Sequence, residues 1–310
     1  MKALITGCAG FIGSHLTDRL LEKGHQVIGV DCFTDYYSRD IKEANISNAL
    51  RNVKFKLIEE DLLNMKNYPE VDCIFHMAAQ AGVRASWGRN FEIYTRNNIE
   101  TTQRLLEFYK DKDIKRFIYS SSSSVYGDSE LPMREDRILK PVSPYGVTKL
   151  AGEHLCYLYY KNYGVPIVSL RYFTVYGPRQ RPDMAINKFV KATLNNDELV
   201  IFGNGTQTRD FTYVDDVVEA ITLASKKNIV GEVFNIGGGS RISIKDLIKK
   251  IGIIAGNEAQ IKYMETQKGD VKDTQADVTK ADSDLEWTPK IDIHQGLTAY
   301  ISWCEQVNKD

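Results

Sequence analysis

The chain has 310 residues, 43% of them hydrophobic and 26% charged, with 40 Lys+Arg against 41 Asp+Glu and a net charge of −1. This is the balance of an ordinary globular protein, and basic residues scattered along the whole length argue against a nucleic-acid partner. No apolar run reaches the roughly 20 residues that span a bilayer, and the N-terminal residues lack the apolar core of a signal peptide, so a cytoplasmic protein with no membrane partner is expected.

Short β-branched runs alternate with longer helical patterns. In chain order the expected strands of the first half are Lys2–Thr6, Gln26–Val30, Val53–Ile58, Cys73–Met77, Arg116–Ser120 and Ile167–Arg171. The expected helices between them are Gly13–Lys23, Glu92–Lys110 and Pro144–Tyr163. The strands are apolar on nearly every residue, as when helices cover both faces of a parallel sheet. Beyond Tyr172 the pattern loosens into shorter elements, with helices expected at 183–196, 215–225, 243–255 and near 295–306. The fold class read from this is α/β: a Rossmann-like doubly wound parallel sheet with a smaller C-terminal α/β substrate-binding region. Residues 1–171 are assigned to the first part and 172–310 to the second.

The first βα junction reads Gly7-Cys8-Ala9-Gly10-Phe11-Ile12-Gly13. After a strand and before a helix, such glycines suit a sharp turn (Gly7), close approach of a pyrophosphate (Gly10) and tight helix–sheet packing (Gly13). The helix start then offers free N–H groups and a partial positive charge to phosphates. Asp31 ends the second expected strand, where a carboxylate accepts from an adenosine ribose and repels a 2′-phosphate, so NAD is favoured over NADP. A turn or capping aspartate is the alternative.

Further along, Ser143 and Pro144 can cap and open a helix that carries Tyr145 and Lys149 on one face, four residues apart. A free tyrosine titrates near ~10, and a nearby ammonium lowers that value, so the pair can take a proton from a substrate hydroxyl as a hydride leaves the same carbon. The spacing alone is common by chance. Its position after a strand ending in Tyr119-Ser120-Ser121-Ser122-Ser123-Ser124 gives it meaning. The five cysteines form no CxxC pair and the five histidines no HxxxH or HExxH spacing, so no metal site and no disulfide frame is expected, and the thiols are read as buried.

The GxxGxxG spacing resembles the extended short-chain dehydrogenase/reductases, and the Ser…Tyr…Lys set resembles that family's triad. The resemblance covers nearly the whole chain and is nearest to NAD-dependent UDP-sugar 4-epimerases. It implies catalytic roles for Ser122, Tyr145 and Lys149. It also implies cofactor contacts from Gly7, Gly10, Phe11, Ile12, Gly13, Asp31, Asp61, Leu62, Ala78, Ala79, Gln80, Asn98 and Phe173. On the substrate side it points to Ser123, Thr174, Ala185, Val200, Phe202 and Asp270, to Arg209 as the diphosphate-binding arginine, and to Arg84 and Arg181, either of which could instead be a plain surface cation.

Relatives that dehydrate or decarboxylate carry an acid beside the catalytic serine, where this chain has Ser123 and Ser124, so 4-epimerisation through a 4-keto intermediate is favoured. A dehydratase, decarboxylase or reductase of the same family, or a non-catalytic dinucleotide-binding protein, are the competing readings. Thr174 with Arg181 resembles the enzymes acting on UDP-glucuronate. A small Thr274 in the stretch after Gly269-Asp270 resembles those with room for an N-acetyl group. Gln267 stands where the family has a diphosphate arginine, with Lys268 next to it. A homodimer through the Glu92–Lys110 and Pro144–Tyr163 helices is also implied, with Leu155, Leu158 and Tyr159 as its stripe, although that stripe could equally face the protein's own core.

Overall fold

Seven parallel strands frame the computed structural model, which describes residues 1–239, 241–265 and 269–307. Across the sheet they run β3 (Phe55–Glu59), β2 (Gln26–Asp31), β1 (Lys2–Thr6), β4 (Cys73–His76), β5 (Arg116–Ser122), β6 (Ile167–Tyr172) and β10 (Glu232–Ile236). The order reverses between β1 and β4, which opens a crevice at the carboxyl ends of those two strands. Helices α1 (Phe11–Glu22) and α2 (Arg39–Leu50) lie on one face, with α4 (Thr101–Tyr109) and α5 (Pro144–Tyr163) on the other. Alternate strand residues feed the two cores, so Ala3, Ile5, Phe75 and Ile118 pack in one and Leu4, Ile74, Phe117 and Ile167 in the other. This is why these strands are apolar at successive positions.

The strand expectations hold to within one or two residues at most ends. Three features differ. The stretch expected as one helix at Glu92–Lys110 is α3 (Phe91–Tyr94), a π-helical stretch at Thr95–Glu100 and then α4. That irregular turn carries Asn98, whose carboxamide is fastened to neighbouring elements. Helix α2 had no apolar stripe to announce it, though Ser38 caps it by accepting from the Asp40 N–H at 3.2 Å. The seventh strand, β10, comes from beyond residue 171 and pairs in parallel with β6, Phe234 opposite Leu170.

The remaining elements after β6 are β7 (Thr174–Tyr176), α6 (Ala185–Asn195), β8 (Glu198–Phe202), β9 (Thr208–Tyr213), α7 (Val214–Ala224), β11 (Arg241–Ser243), α8 (Ile244–Ala255), β12 (Gln260–Met264), α9 (Thr279–Leu285) and α10 (Ile293–Val307). Strands β7, β9 and β11 form one small sheet, and β8 pairs with β12 in another. The expected stripe on α5 divides: Tyr159 is buried against the chain's own core, Leu155 packs partly there, and Leu158 is exposed. Four thiols are buried, but Cys32 is exposed just beyond β2. Among the described residues no helix is long and apolar enough to cross a membrane.

Candidate active site

The turn after β1 is shaped by two glycines. Gly7 has φ +70°, a left-handed conformation that side chains resist, and a Cβ there would meet the Ala78 N at 2.8 Å. A Cβ on Gly13 would stand 2.1 Å from the Gly7 carbonyl oxygen, so α1 packs on β1 at a distance only glycine permits. Gly10 is different: its φ of −74° suits any residue, and a Cβ would press only moderately on the Gly7 oxygen, at 3.2 Å. Its small size therefore keeps the mouth of the crevice open rather than serving the turn.

The crevice is lined by Gly7, Gly10, Phe11, Ile12 and Gly13 from this junction, and by Asp31, Asp61 and Leu62 from the ends of neighbouring strands. Ala78, Ala79 and Gln80, then Tyr145, Lys149 and Arg181, complete its wall. Asp31 accepts from the Ala9 N–H at 3.1 Å and from the Phe33 N–H at 2.9 Å. Burial pushes its carboxyl up, and those two N–H groups pull it back. Lys42, on the inner side of α2, reaches the same wall and donates to Thr34, with its ammonium 4.7 Å from the Tyr37 ring centroid. Sequence reasoning missed Lys42, since nothing local marks one lysine of a polar helix as inward-facing. A glycine-walled mouth beside a helix start, with an acid and a cation at the second strand's end, fits a dinucleotide.

Three serines at the end of β5 organise the chemical end. The Ser120 carbonyl accepts from Lys149 Nζ at 2.7 Å, Ser121 donates to Glu153, and the Ser122 hydroxyl, which donates to Ser124 Oγ at 3.2 Å, lies near enough to the Tyr145 phenol to act on it. Helix α5 starts as expected: the Ser143 hydroxyl accepts from the Gly146 N–H at 3.1 Å. Ser86, not anticipated, accepts from the Tyr145 N–H, also at 3.1 Å. Burial holds the Tyr145 phenol above its ordinary value, and the Ser122 hydroxyl and the Arg181 charge offset only part of that rise. Burial pushes Lys149 down to about 8, countered by Cys156 and Glu153. Arg181 adds a cation close enough to act on the tyrosine, while the lysine is held against the strand end.

Asn98 lies beneath the floor. Its oxygen accepts from the Gln80 N–H at 2.7 Å, and its amide donates to the Gln80 carbonyl at 3.0 Å and to the Thr148 hydroxyl at 2.9 Å. It ties the loop after β4 to α5 and is buried. Phe173 is likewise buried, packed with Val125, Tyr126 and Met133, and Tyr172 is the side chain that reaches the crevice.

On the substrate side, Arg181 holds Asp183 through two contacts of 2.9 Å, and Tyr36 donates to the same carboxylate at 3.2 Å. Thr174 is half-buried at the start of β7, Ser123 follows Ser122 in a short 3₁₀ turn, and Ala185 is exposed at the start of α6. Arg84 brings a second group together: its guanidinium lies 4.3 Å from the Phe202 ring centroid and 2.7 Å from Asp270. Arg209 donates to the Thr208 and Lys272 carbonyls at 2.8 and 2.9 Å and feels the charges of Asp270 and Arg84. Val200 is exposed on β8. Thr274 is 4% exposed, with its hydroxyl accepting from the Asp210 N–H at 3.2 Å, so it braces β9 and is a poor guide to sugar size. Gln267 and Lys268 lie outside the described residues.

The profile of the NAD dependent epimerase/dehydratase family matches residues 3–237. A Bacillus subtilis protein named as an uncharacterized UDP-glucose epimerase is 45% identical over 98% of both chains. A UDP-glucuronate 4-epimerase of Thermodesulfobacterium geofontis is 40% identical over 98% of this chain and 96% of its own. The crystal structure of the Bacillus cereus UDP-glucuronic acid 4-epimerase, in complex with UDP-glucuronic acid and NAD, superposes with a TM-score of 0.95 at 46% identity, covering 99% of this chain and 100% of that one. The chain belongs to the NAD dependent epimerase/dehydratase family.

Proposed function

We propose that this member of the family interconverts UDP-glucuronate and UDP-galacturonate. The broader activity is NAD-dependent 4-epimerisation of a UDP-sugar, and the cofactor is NAD. The observation that carries the choice of sugar is the place of Arg181, in the crevice wall and close enough to Tyr145 for its charge to lower the phenol. In a uronate the carboxylate-bearing carbon hangs from C5, beside the reacting C4, so a cation next to the base is where that carboxylate falls. Guanidinium suits it through paired hydrogen bonds. Support also comes from Thr174 and from the relatives named as UDP-glucuronate 4-epimerases.

Tyr145 takes the proton of the 4-hydroxyl while a hydride leaves C4, and Ser122 bridges phenol and sugar oxygen. Bound NAD supplies reversible hydride acceptance at C4. After the 4-keto sugar turns over in the site, Tyr145 returns the proton to the new hydroxyl. Gly10, Phe11, Ile12 and the start of α1 hold the pyrophosphate, with Gly7 and Gly13 setting the turn. Asp31 and Lys42 flank the adenosine ribose, Asp61 and Leu62 the adenine. Ala78, Ala79, Gln80 and Lys149 line the nicotinamide end, with Asn98 as the buried brace. Arg84, Phe202, Arg209 and Asp270 form the uridine-diphosphate end. Residues 1–171 carry the cofactor and triad and the region 172–310 most of the sugar-nucleotide contacts, with β10 returning to the first sheet. A cytoplasmic homodimer formed through α4 and α5 completes the reading; Val147, Tyr157 and Leu158 are exposed on α5.

The test is an NMR assay of the purified enzyme, with no added cofactor, against UDP-glucuronate, UDP-glucose and UDP-N-acetylglucosamine. UDP-galacturonate is expected from the first, and Arg181→Ala is expected to lose that turnover first. An unchanged UDP-glucuronate beside an epimerised neutral sugar refutes the proposal.

A further inference from the structure

The mechanism leaves one buried charged pair without a task. Glu153 lies four residues after Lys149 and eight after Tyr145 on α5, so the three share a helix face. Glu153 and Arg171 are 6% and 3% exposed, and the guanidinium grips the carboxylate by Nε to Oε1 at 2.9 Å and Nη2 to Oε2 at 2.8 Å. Arg171 is held in turn by the Tyr126 hydroxyl, which accepts at 2.8 Å. Stability is a weak reason for such a pair, because apolar residues of similar volume serve a core as well or better.

Its location offers another reason. Ser121 donates to the Glu153 carboxylate, and its two chain neighbours are the partners of the catalytic pair. The Ser120 carbonyl accepts from Lys149, and the Ser122 hydroxyl lies beside the Tyr145 phenol. A strand end held at its middle residue cannot slide or twist without moving both neighbours. Strand β6, which carries Arg171, pairs with β5 at this point, Ser121 opposite Arg171.

We propose that Glu153, clamped by Arg171 and Ser121, is a positioning residue of the reaction. It holds the end of β5 so that Ser120 and Ser122 meet Lys149 and Tyr145, and its carboxylate helps keep Lys149 charged. The proposal rests on the roles given above to Tyr145 and Lys149. The groups facing Lys149 are Glu153 and Cys156 from its own helix, the Ser120 carbonyl and the Tyr119 ring (centroid at 5.2 Å) from β5, and His76 from β4. His76 is fully buried, its imidazole pushed down to about 3 and so neutral. Glu153 is the carboxylate of this set. Facing Glu153 are Arg171, Ser121, Tyr119 and Cys156, with Tyr126 and Glu135 behind Arg171.

The experiment is a kcat, KM and pH–rate series on the NAD-containing enzyme with UDP-glucuronate, paired with an NMR titration of 13C-labelled Lys149. Ser121→Ala leaves the ion pair intact, and kcat is expected to fall roughly tenfold with KM nearly unchanged, the pattern of a lost transition-state interaction. Ser121→Thr keeps the hydroxyl and recovers most of that loss. Glu153→Gln moves the titration of Lys149 and the alkaline limb of kcat down by about half a pH unit or more. Wild-type kcat in Ser121→Ala, equal impairment of the Ala and Thr variants, or an unmoved Lys149 titration in Glu153→Gln overturns the proposal. If Glu153→Gln does not fold, the Ser121 pair decides. If the wild-type enzyme leaves UDP-glucuronate unchanged, the substrate reading fails, and the lysine titration, which needs no turnover, still tests this one.

Discussion

Replacing Gly10 and Gly13 with alanine separates the two jobs of the glycine turn. At Gly13 a Cβ would sit 2.1 Å from the Gly7 oxygen, 2.9 Å from its carbonyl carbon and 3.2 Å from Cys8 Cα. All three are backbone atoms, so relief requires α1 to leave β1 by about 1 Å, the gap between that 2.1 Å and ordinary contact beyond 3.4 Å. Overpacking of this kind costs roughly 1–3 kcal/mol and occasionally more, while the helix preference of Ala over Gly returns up to about 1. A net loss of ~2 kcal/mol corresponds to a fall in Tm on the order of 5 °C for a chain of this size. At Gly10 the single close contact, 3.2 Å to the Gly7 oxygen, needs a shift of a few tenths of an ångström and costs under about 1 kcal/mol. The new methyl stands where the pyrophosphate must approach. Calorimetry and the NAD content of the purified proteins read the two effects apart. Gly10→Ala should arrive depleted of NAD yet melt near wild type when both are compared stripped of NAD, and Gly13→Ala should melt early in that same state. A Gly10→Ala enzyme with full NAD and full turnover refutes the division, as does a Gly13→Ala enzyme with an unchanged Tm.

Tyr145→Phe should lower kcat by about 10²–10⁴, the usual worth of a positioned proton-transfer group, with NAD still bound; near-normal single-turnover rates would remove Tyr145 as the base. Lys149 is pushed down to about 8 by burial, so its ammonium is present below that pH and discharges above it. Turnover should therefore decline along an alkaline limb near pH 8, and a profile flat to pH 10 contradicts the role. Asp210 accepts from the Gly238 N–H at 2.6 Å and the Ala276 N–H at 2.9 Å, yet burial raises it to about 6. The folded state thus holds a proton that the unfolded chain releases near ~4, so stability falls as pH rises from about 4 to about 6 and is level above, by roughly 3 kcal/mol for a shift of about two pH units. Denaturant titrations at pH 4.5 and 7 should show that slope in the wild type and lose it in Asp210→Asn.

What the amino-acid sequence determined by itself is whatever depends on spacing of a few residues. Gly7 and Gly13 shape one turn and one helix packing, Gly10 keeps the mouth beside them open, Asp31 ends the adjacent strand, and Tyr145 and Lys149 share a face because a helix repeats every 3.6 residues. The cap of α5 at Ser143 was legible for the same reason. Local rules of this kind act within a turn or two of chain, so they survive any tertiary context that keeps the element.

Tertiary structure decided everything that joins distant segments. Strand β10 forms the edge of the sheet beside β6, and no local pattern marks which sheet it joins. Arg171 meets Glu153 only once α5 lies across β6, and Lys42 reaches the crevice only when α2 docks with that side inward. Phe173 and Thr274 lay in motifs that resembled binding segments, yet packing buried both and left Tyr172 lining the crevice. Burial also set the charges: the lysine was displaced toward neutrality, and Arg181, 36 positions along the chain from Tyr145, came close enough for its charge to act on the phenol. Desolvation depends on what surrounds a group in three dimensions, and that is a property of the packed chain rather than of any window along it.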